Sequence, residues 1–144
     1  MDVLIEFPRL NGNKKLAWHN ATDSKGGRSM DSVKIVHKED LKWEPHPQLA
    51  NVEVSYLVSH RDEKMDLTCM LVHLPPGTDV PKHTHECDDI LYVVKGKAKI
   101  WLDGIGEVQA VPGTFVRIPK GVLHQPHDVE EDFIMYDVFY PFLA

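Results

Sequence analysis

The amino-acid sequence predicts an all-β fold, either an antiparallel sandwich or a barrel. Short runs of β-branched and aromatic residues follow one another at close spacing, and almost no segment has helical periodicity. The predicted strands are 33–36, 52–58, 67–74, 90–94, 97–102, 107–111, 114–118 and 133–139. Breaks that contain Gly or Pro separate many of these runs, among them LPPG, KGK, LDGIG, VPG and IPKG.

The individual segments support this assignment in chain order. VKIV, VEVSYLV and LTCMLVHL are rich in β-branched and aliphatic residues, and ILYVV is almost wholly apolar. KAKIWL alternates strictly, which puts its Lys and Trp side chains on one face and its Ala, Ile and Leu side chains on the other. EVQAV, TFVRI and FIMYDVF complete the set. We therefore expect one face of the sheet to be buried in the core and the other to face solvent or a subunit interface.

Length and charge limit the classes of function. A chain of 144 residues is the usual size of one domain and long enough for a real core. The net charge is -6, and the 16 Lys and Arg residues are scattered among 22 acidic ones. Nucleic-acid binding needs a concentrated basic surface, so the composition predicts no nucleic-acid partner.

The opening segment MDVLIEFPRL is not a predicted signal peptide, because Glu6 and Pro8 interrupt it and no basic region precedes it. No run reaches the ~20 apolar residues of a membrane span. We expect a cytoplasmic protein with no membrane partner. In that reducing compartment Cys69 and Cys87 should be thiols.

The sequence divides into an N-terminal arm, 1–32, and a barrel domain, 33–144. The first segment contains the polar, turn-rich stretches NGNKK and DSKGGRSMDS, so an extended arm is favoured over a helix. Its apolar side chains need to be buried against another part of the protein or another subunit. They are Val3, Leu4, Ile5, Phe7 and Trp18.

Four residues form a candidate metal site. His83 and His85 are two apart, a spacing that puts both imidazoles on one face of a strand. Asp89 and His124 add a carboxylate and a third imidazole. Three neutral imidazoles and one carboxylate suit one divalent ion per chain, such as Fe, Mn, Ni or Zn.

These residues resemble the two motifs of the small single-domain cupins. The first motif is Gly, five residues, HxH, three or four residues, Glu, six residues and Gly, and the second is Gly, five residues, Pro, one residue, Gly, two residues, His, three residues and Asn. Asp replaces Glu in the first and Asn in the second. The matching residues are Gly77, His83, His85, Asp89 and Gly96, then Gly113, Pro119, Gly121, His124 and Asp128. The resemblance implies a jelly-roll barrel, or double-stranded β-helix, with a metal in its mouth, and a homodimer in which such arms often cross to the neighbouring subunit.

The role of Asp89 has an alternative. Its side chain is shorter than that of Glu. It either binds the ion directly or orients a histidine ligand without contacting the ion. Glu86 and Asp88 are rival carboxylates, but the six-residue spacing to Gly96 favours position 89. Strand alternation also turns Asp88 away.

Tyr92 and Arg117 are tentative catalytic residues. Tyr92 is a potential acid or base, although its apolar strand favours core packing. Arg117 either faces solvent or reaches a pocket where it would hold a substrate carboxylate. Cys87 is expected to be a packing residue. His127, with parity opposite to His124, is expected at the surface or pocket rim.

The other histidines lie outside the motifs and are expected to face solvent. They are His19, His37, His46, His60 and His73.

A metal held by such ligands keeps open positions where it can polarise a carbonyl or enolate oxygen, activate water or, if iron, bind O₂ beside a chelating substrate. The resemblance implies dioxygenases, isomerases, decarboxylases, lyases and non-catalytic binders. Because this ligand set leaves adjacent open positions on an ion of accessible redox chemistry, we expect a metal-dependent dioxygenase acting on a small oxygenated or carboxylated metabolite. The motifs show no second acid and base pair to run a metal-independent reaction. Isomerase-type enolisation follows closely, and a non-catalytic ligand- or metal-binding module is the competing class.

Overall fold

Nine strands dominate the computed structural model, which describes residues 33–143. They are β1 (Glu44–Pro45), β2 (Glu53–Val58), β3 (Thr68–Leu74), β4 (Asp88–Lys95), β5 (Ala98–Leu102), β6 (Gly106–Ala110), β7 (Phe115–Ile118), β8 (His124–His127) and β9 (Phe133–Tyr140). A short 3-10 helix, Lys38–Asp40, and one helix, α1 (His60–Glu63), complete the elements. The predicted arm, 1–32, lies outside the described residues. Across 33–143 no helix has the length and apolar character needed to cross a bilayer.

The strands form two antiparallel sheets. The larger sheet has the order β1-β2-β3-β9-β4-β7 and the smaller one has the order β6-β5-β8. Strands that are distant in sequence lie side by side, as where β9 inserts between β3 and β4. This arrangement is the predicted all-β jelly roll.

Alternating side chains fill the space between the sheets. On β3, Met70, Val72 and Leu74 are buried and their neighbours are less so. On β5, Ala98, Ile100 and Leu102 are buried, as the alternation of KAKIWL predicts. Burying each large apolar side chain contributes about 1.5–3 kcal/mol. The core therefore holds the strand register that positions the site.

The predicted strand at 33–36 is wrong. Val33 and Ile35 are 86% and 73% exposed, and no described strand pairs with this segment. β-branched residues favour a strand only where a neighbouring strand and a buried face are available. The other seven predicted strands are present, with ends shifted by a few residues.

Strand β8 was not predicted, and its sequence HQPH contains a proline. Pro126 lacks an N–H and cannot donate a backbone hydrogen bond, although its carbonyl accepts one from the Val80 N–H at 3.0 Å. β8 is an edge strand that pairs only with β5 within its sheet, so Pro126 is tolerated opposite Ile100. Strand β1 and helix α1 are also absent from the prediction.

Candidate metal centre

The structure brings the three predicted histidines together. His83 and His85 lie in the extended segment before β4, and His124 begins β8. Reciprocal backbone hydrogen bonds of 3.0 Å, in which each N–H donates to the other residue's carbonyl, join His83 to His124. One ring nitrogen from each of the three histidines lies within 4.8 Å of the other two. The HxH pair is thus held by one β-bridge rather than by a regular strand.

Hydrogen bonds fix the orientation of two of these rings. His83 Nδ1 lies 2.7 Å from the carbonyl oxygen of Pro81, and His124 Nδ1 lies 2.9 Å from that of Val122. A carbonyl oxygen only accepts, so Nδ1 is the donor in both rings. The neutral tautomer therefore leaves the Nε2 lone pair of each ring free, as a metal ligand requires.

Burial favours the uncharged form of two of these rings, His85 and His124. It lowers the pKa of His85 to about 4, with a smaller effect of His83 and His124 in the same direction. Burial also lowers the pKa of His124. At neutral pH these imidazoles are in the form that binds a divalent cation.

Asp89 borders the histidines. It is only 4% exposed, and its Oδ2 lies 3.9 Å from Nε2 of both His85 and His124. Burial raises the pKa of Asp89 to about 7. Its Oδ1 is buried with no hydrogen-bond partner among the described residues, and it lies outside the group of ligand atoms within 4.8 Å of one another. Three imidazoles with a buried carboxyl whose Oδ2 lies beside two of them are a donor set that suits a divalent metal, so the residues fit such an ion.

The rival carboxylates point elsewhere. Asp88 accepts hydrogen bonds from Arg117 Nη2 at 2.7 Å and from the Lys120 N–H at 2.9 Å, on the outer face of β4. Glu86 is solvent-exposed and pairs with Lys120. The predicted outward direction of Asp88 is confirmed.

Tyr92 and Arg117 do not line the cavities that contain the histidines. Tyr92 is 47% exposed, so the expectation of core packing is wrong. Residues Asp89, Leu91 and Val93 of β4 point inward, and Tyr92 has the opposite parity. Arg117 faces solvent, paired with Asp88, which is one of its two predicted alternatives.

The histidines lie between two adjoining cavities. An outer cavity of about 430 Å³ has His46, Gln48, Tyr56 and Thr84 among its polar lining residues. An inner cavity of about 70 Å³ is lined by the three histidines and His46 together with Asp89, Asp137 and apolar residues. His83 and His85 belong to both walls, so a ligand at the histidines can occupy both spaces.

His46 contributes to both cavities, so its predicted solvent-facing position is wrong. Its Nδ1 accepts hydrogen bonds of 3.1 Å from the backbone N–H groups of Gln48 and Leu49. The neutral ring therefore carries its proton on Nε2. Burial lowers the pKa of His46, which keeps the ring neutral. No sequence motif indicated this residue.

Asp137 is the buried acid that the sequence analysis missed. It is 4% exposed, on the inward face of β9 together with Phe133, Met135 and Phe139. Burial, and then the charge of Asp89, raise the pKa of Asp137 well above its usual value. Its position among the inward residues of FIMYDVF was the available signal.

His127 and Cys87 lie apart from the three histidines. His127 is partly exposed, with Nε2 2.9 Å from Glu107 Oε1, so its predicted surface position is confirmed. It forms a second potential ligand group with Asp79 and Asp128, but both acids are exposed. Cys87 is buried in the core, as predicted, and burial raises the pKa of its thiol.

Comparison with known proteins agrees with the fold. The family described as the cupin domain matches residues 70–139. An uncharacterized protein of Streptomyces coelicolor is 33% identical over 87 residues, which are 60% of this chain and 80% of that protein.

Solved structures share the architecture. KdgF from Halomonas sp. is 23% identical, with a TM-score of 0.64 over 75% of this chain and 94% of its own. The polyketide cyclase RemF from Streptomyces resistomycificus is 23% identical, with a TM-score of 0.66 over 76% and 80%. A predicted oxalate decarboxylase from Thermotoga maritima is 20% identical, with a TM-score of 0.65 over 75% and 99%. With its jelly roll, its two motifs and these matches, the chain belongs to the cupin family.

Proposed function

We propose that this protein is a metal-dependent enzyme that acts on a small oxygenated or carboxylated metabolite by isomerase-type enolisation. His83, His85 and His124 hold one divalent ion. The observation that carries the proposal is that three imidazoles share one cavity with two buried carboxyl groups, Asp89 and Asp137.

The metal site and Asp137 would have different roles in such a reaction. An ion at the histidines would supply a Lewis acid that polarises a carbonyl or enolate oxygen. Asp137 as the carboxylate would take the proton from the carbon beside that carbonyl, and its raised pKa would let it hold this proton and return it to the enolate.

The dioxygenase expected from sequence is the second candidate. That expectation depended on open positions at a redox-capable ion, and the two motifs showed no acid and base pair beside it. Asp137 lies outside both motifs and brings a second carboxyl into the cavity beside Asp89. The cavity therefore contains carboxyl groups that could transfer a proton. A reaction with O₂ is no longer favoured over enolisation.

Deuterium exchange tests the proposed reaction without knowledge of the natural substrate. Zinc-loaded protein is incubated under nitrogen in D₂O with dihydroxyacetone or acetylacetone. We expect ¹H NMR to show loss of the α C–H signal faster than with free zinc, and the His83→Ala variant should lose this acceleration. Turnover only by the iron form, with consumption of O₂, would overturn the proposal in favour of a dioxygenase. No reaction with either metal would favour a non-catalytic binder.

A pair of adjacent substitutions tests the predicted role of Asp89. Asp89→Asn should weaken metal binding by about 10-fold or more, the scale of effects for groups that touch a ligand or the ion. Asp88→Asn is the matched control, because Asp88 faces outward and should leave metal affinity unchanged. Isothermal titration with Zn²⁺ measures both. Equal losses in the two variants would show that the wrong carboxylate has been assigned.

The homodimer stays a prediction, and the described residues offer a surface for it. On the outer faces of β4 and β7, Tyr92, Val94 and Phe115 are 47%, 50% and 63% exposed, and Tyr92 pairs with Phe115 across the ladder. An exposed apolar face of this kind is typical of subunit interfaces. Sedimentation should give a dimer mass that Phe115→Glu reduces. A monomer mass for the unmodified chain would contradict the prediction.

A further inference from the structure

The inner cavity contains a carboxyl oxygen that the fold leaves without a partner. Asp137 Oδ1 is buried and has no hydrogen bond to any described residue. Its neighbours across the sheet are Met70 on β3 and Leu91 on β4, and neither side chain carries a hydrogen-bond donor. Nothing in the described part of the fold requires an acid at this position.

An unpartnered buried carboxyl lowers stability, because the group has lost its hydration without a replacement. Such groups are uncommon in folded proteins and concentrate at functional sites. Asp137 lines the same small cavity as His83, His85 and His124. A ligand that reaches the three histidines is therefore placed to donate to Asp137.

The charge of the cavity restricts that ligand. Among the described residues, no Lys or Arg lines either cavity, whereas Asp89 and Asp137 line the inner one. Phosphate groups are normally held by Arg, Lys or clustered backbone N–H groups. Besides the imidazoles, a phosphorylated compound would find two carboxyls and no Lys or Arg at the inner end.

Size and chemistry favour a hydroxyl group. The inner cavity, about 70 Å³, has room for a group of the size of a hydroxymethyl, and the outer cavity of about 430 Å³ holds the remainder of a small metabolite. A hydroxyl both donates and accepts, so it can pair with a carboxyl in either protonation state. An ammonium group only donates, so it cannot accept a hydrogen bond from the carboxyl when that carboxyl is protonated.

We propose that Asp137 binds a hydroxyl group of a small, non-phosphorylated hydroxy acid or hydroxyketone whose other oxygens lie at the three histidines. This inference rests on the proposed metal site and names the substrate class for it. Asp137 is then a substrate-contacting residue that selects ligands with a hydroxyl beyond the chelating oxygens.

Three related acids test the proposal by isothermal titration into manganese-loaded protein. Lactate and glycerate offer the same chelating carboxylate and 2-hydroxyl, but only glycerate has a 3-hydroxyl. 3-Phosphoglycerate replaces that hydroxyl with a phosphate ester. We expect glycerate to bind about 10-fold more tightly than lactate, the ratio for one good buried hydrogen bond, and 3-phosphoglycerate to bind more weakly than glycerate.

Two variants assign the preference to Asp137. Asp137→Leu should reduce the ratio of glycerate to lactate affinity to about one, and Asp137→Asn should retain part of it, because an amide oxygen still accepts. Manganese content and melting temperature of each variant show that the metal site and the fold persist. An unchanged ratio in Asp137→Leu, equal affinities in the unmodified protein, or tighter binding of 3-phosphoglycerate would overturn the proposal. Loss of manganese from the unmodified protein would instead refute the proposed metal site.

Discussion

Replacing His124 by alanine is expected to abolish stoichiometric metal binding. His124 is 2% exposed, and its Nε2 is left free because Nδ1 donates to Val122. Loss of one of three imidazoles should reduce metal affinity by more than the roughly 10–100-fold that follows removal of a group hydrogen-bonded to a ligand. We expect elemental analysis after dialysis to give far less than one zinc per chain, against one in the unmodified protein.

The matched control is His127→Ala. His127 lies on the same short strand, β8, but its ring pairs with Glu107 away from the three histidines. This variant should retain one zinc per chain. If the two variants keep equal metal, the three-histidine site is not where the ion binds.

The second large effect is on stability. Gly96 has a φ of 86°, and a Cβ added there would lie 2.2 Å from the carbonyl oxygen of Asp132 and 2.8 Å from the Cα of Phe133. Backbone atoms cannot move aside cheaply. Gly96→Ala should therefore lose about 2–5 kcal/mol of unfolding free energy, from about 1–2 for the left-handed conformation and about 1–3 for overpacking.

Gly104→Ala separates these two contributions. Gly104 has a similar φ of 79°, but a Cβ there would meet nothing within 4 Å. Urea unfolding should give a loss of only about 1–2 kcal/mol for this variant. Equal losses at the two positions would show that the contact with Asp132 and Phe133 is not responsible for the requirement for glycine at position 96.

Local patterns predicted most of the fold because each strand carries its own signal. The alternation of KAKIWL placed Ile100 in the core and Lys99 outside it, as the structure shows. Propensity was not sufficient at 33–36, where Ile35 has no neighbouring strand in the described structure. It also failed at β8, which contains Pro126 and lies at the end of the smaller sheet.

The candidate site was predictable where it lies within the two motifs. His83, His85 and His124 meet because the chain brings the segment before β4 against β8, an arrangement that the motif spacing indicates. Asp137 and His46 come from distant segments, and only the folded sheets bring them to the same cavity. No spacing rule connects them to the histidines.

Tyr92 shows a different failure. Its apolar neighbours suggested a buried strand, but parity relative to Asp89 assigns it to the outer face, where it is 47% exposed. Once Asp89 is taken as inward, position 92 must point outward. The parity rule used to reject Asp88 would also have rejected Tyr92 as a residue of the cavity.

The most direct test of the metal centre is an anomalous difference map, recorded at the absorption edge of the metal present, from a crystal of protein purified without chelator or affinity tag. The structure predicts one peak per chain, with Nε2 of His83, His85 and His124 at about 2.0–2.3 Å from it. A strong peak at Asp79, His127 and Asp128 instead, or a His124 ring turned away from the other two, would contradict the proposed centre.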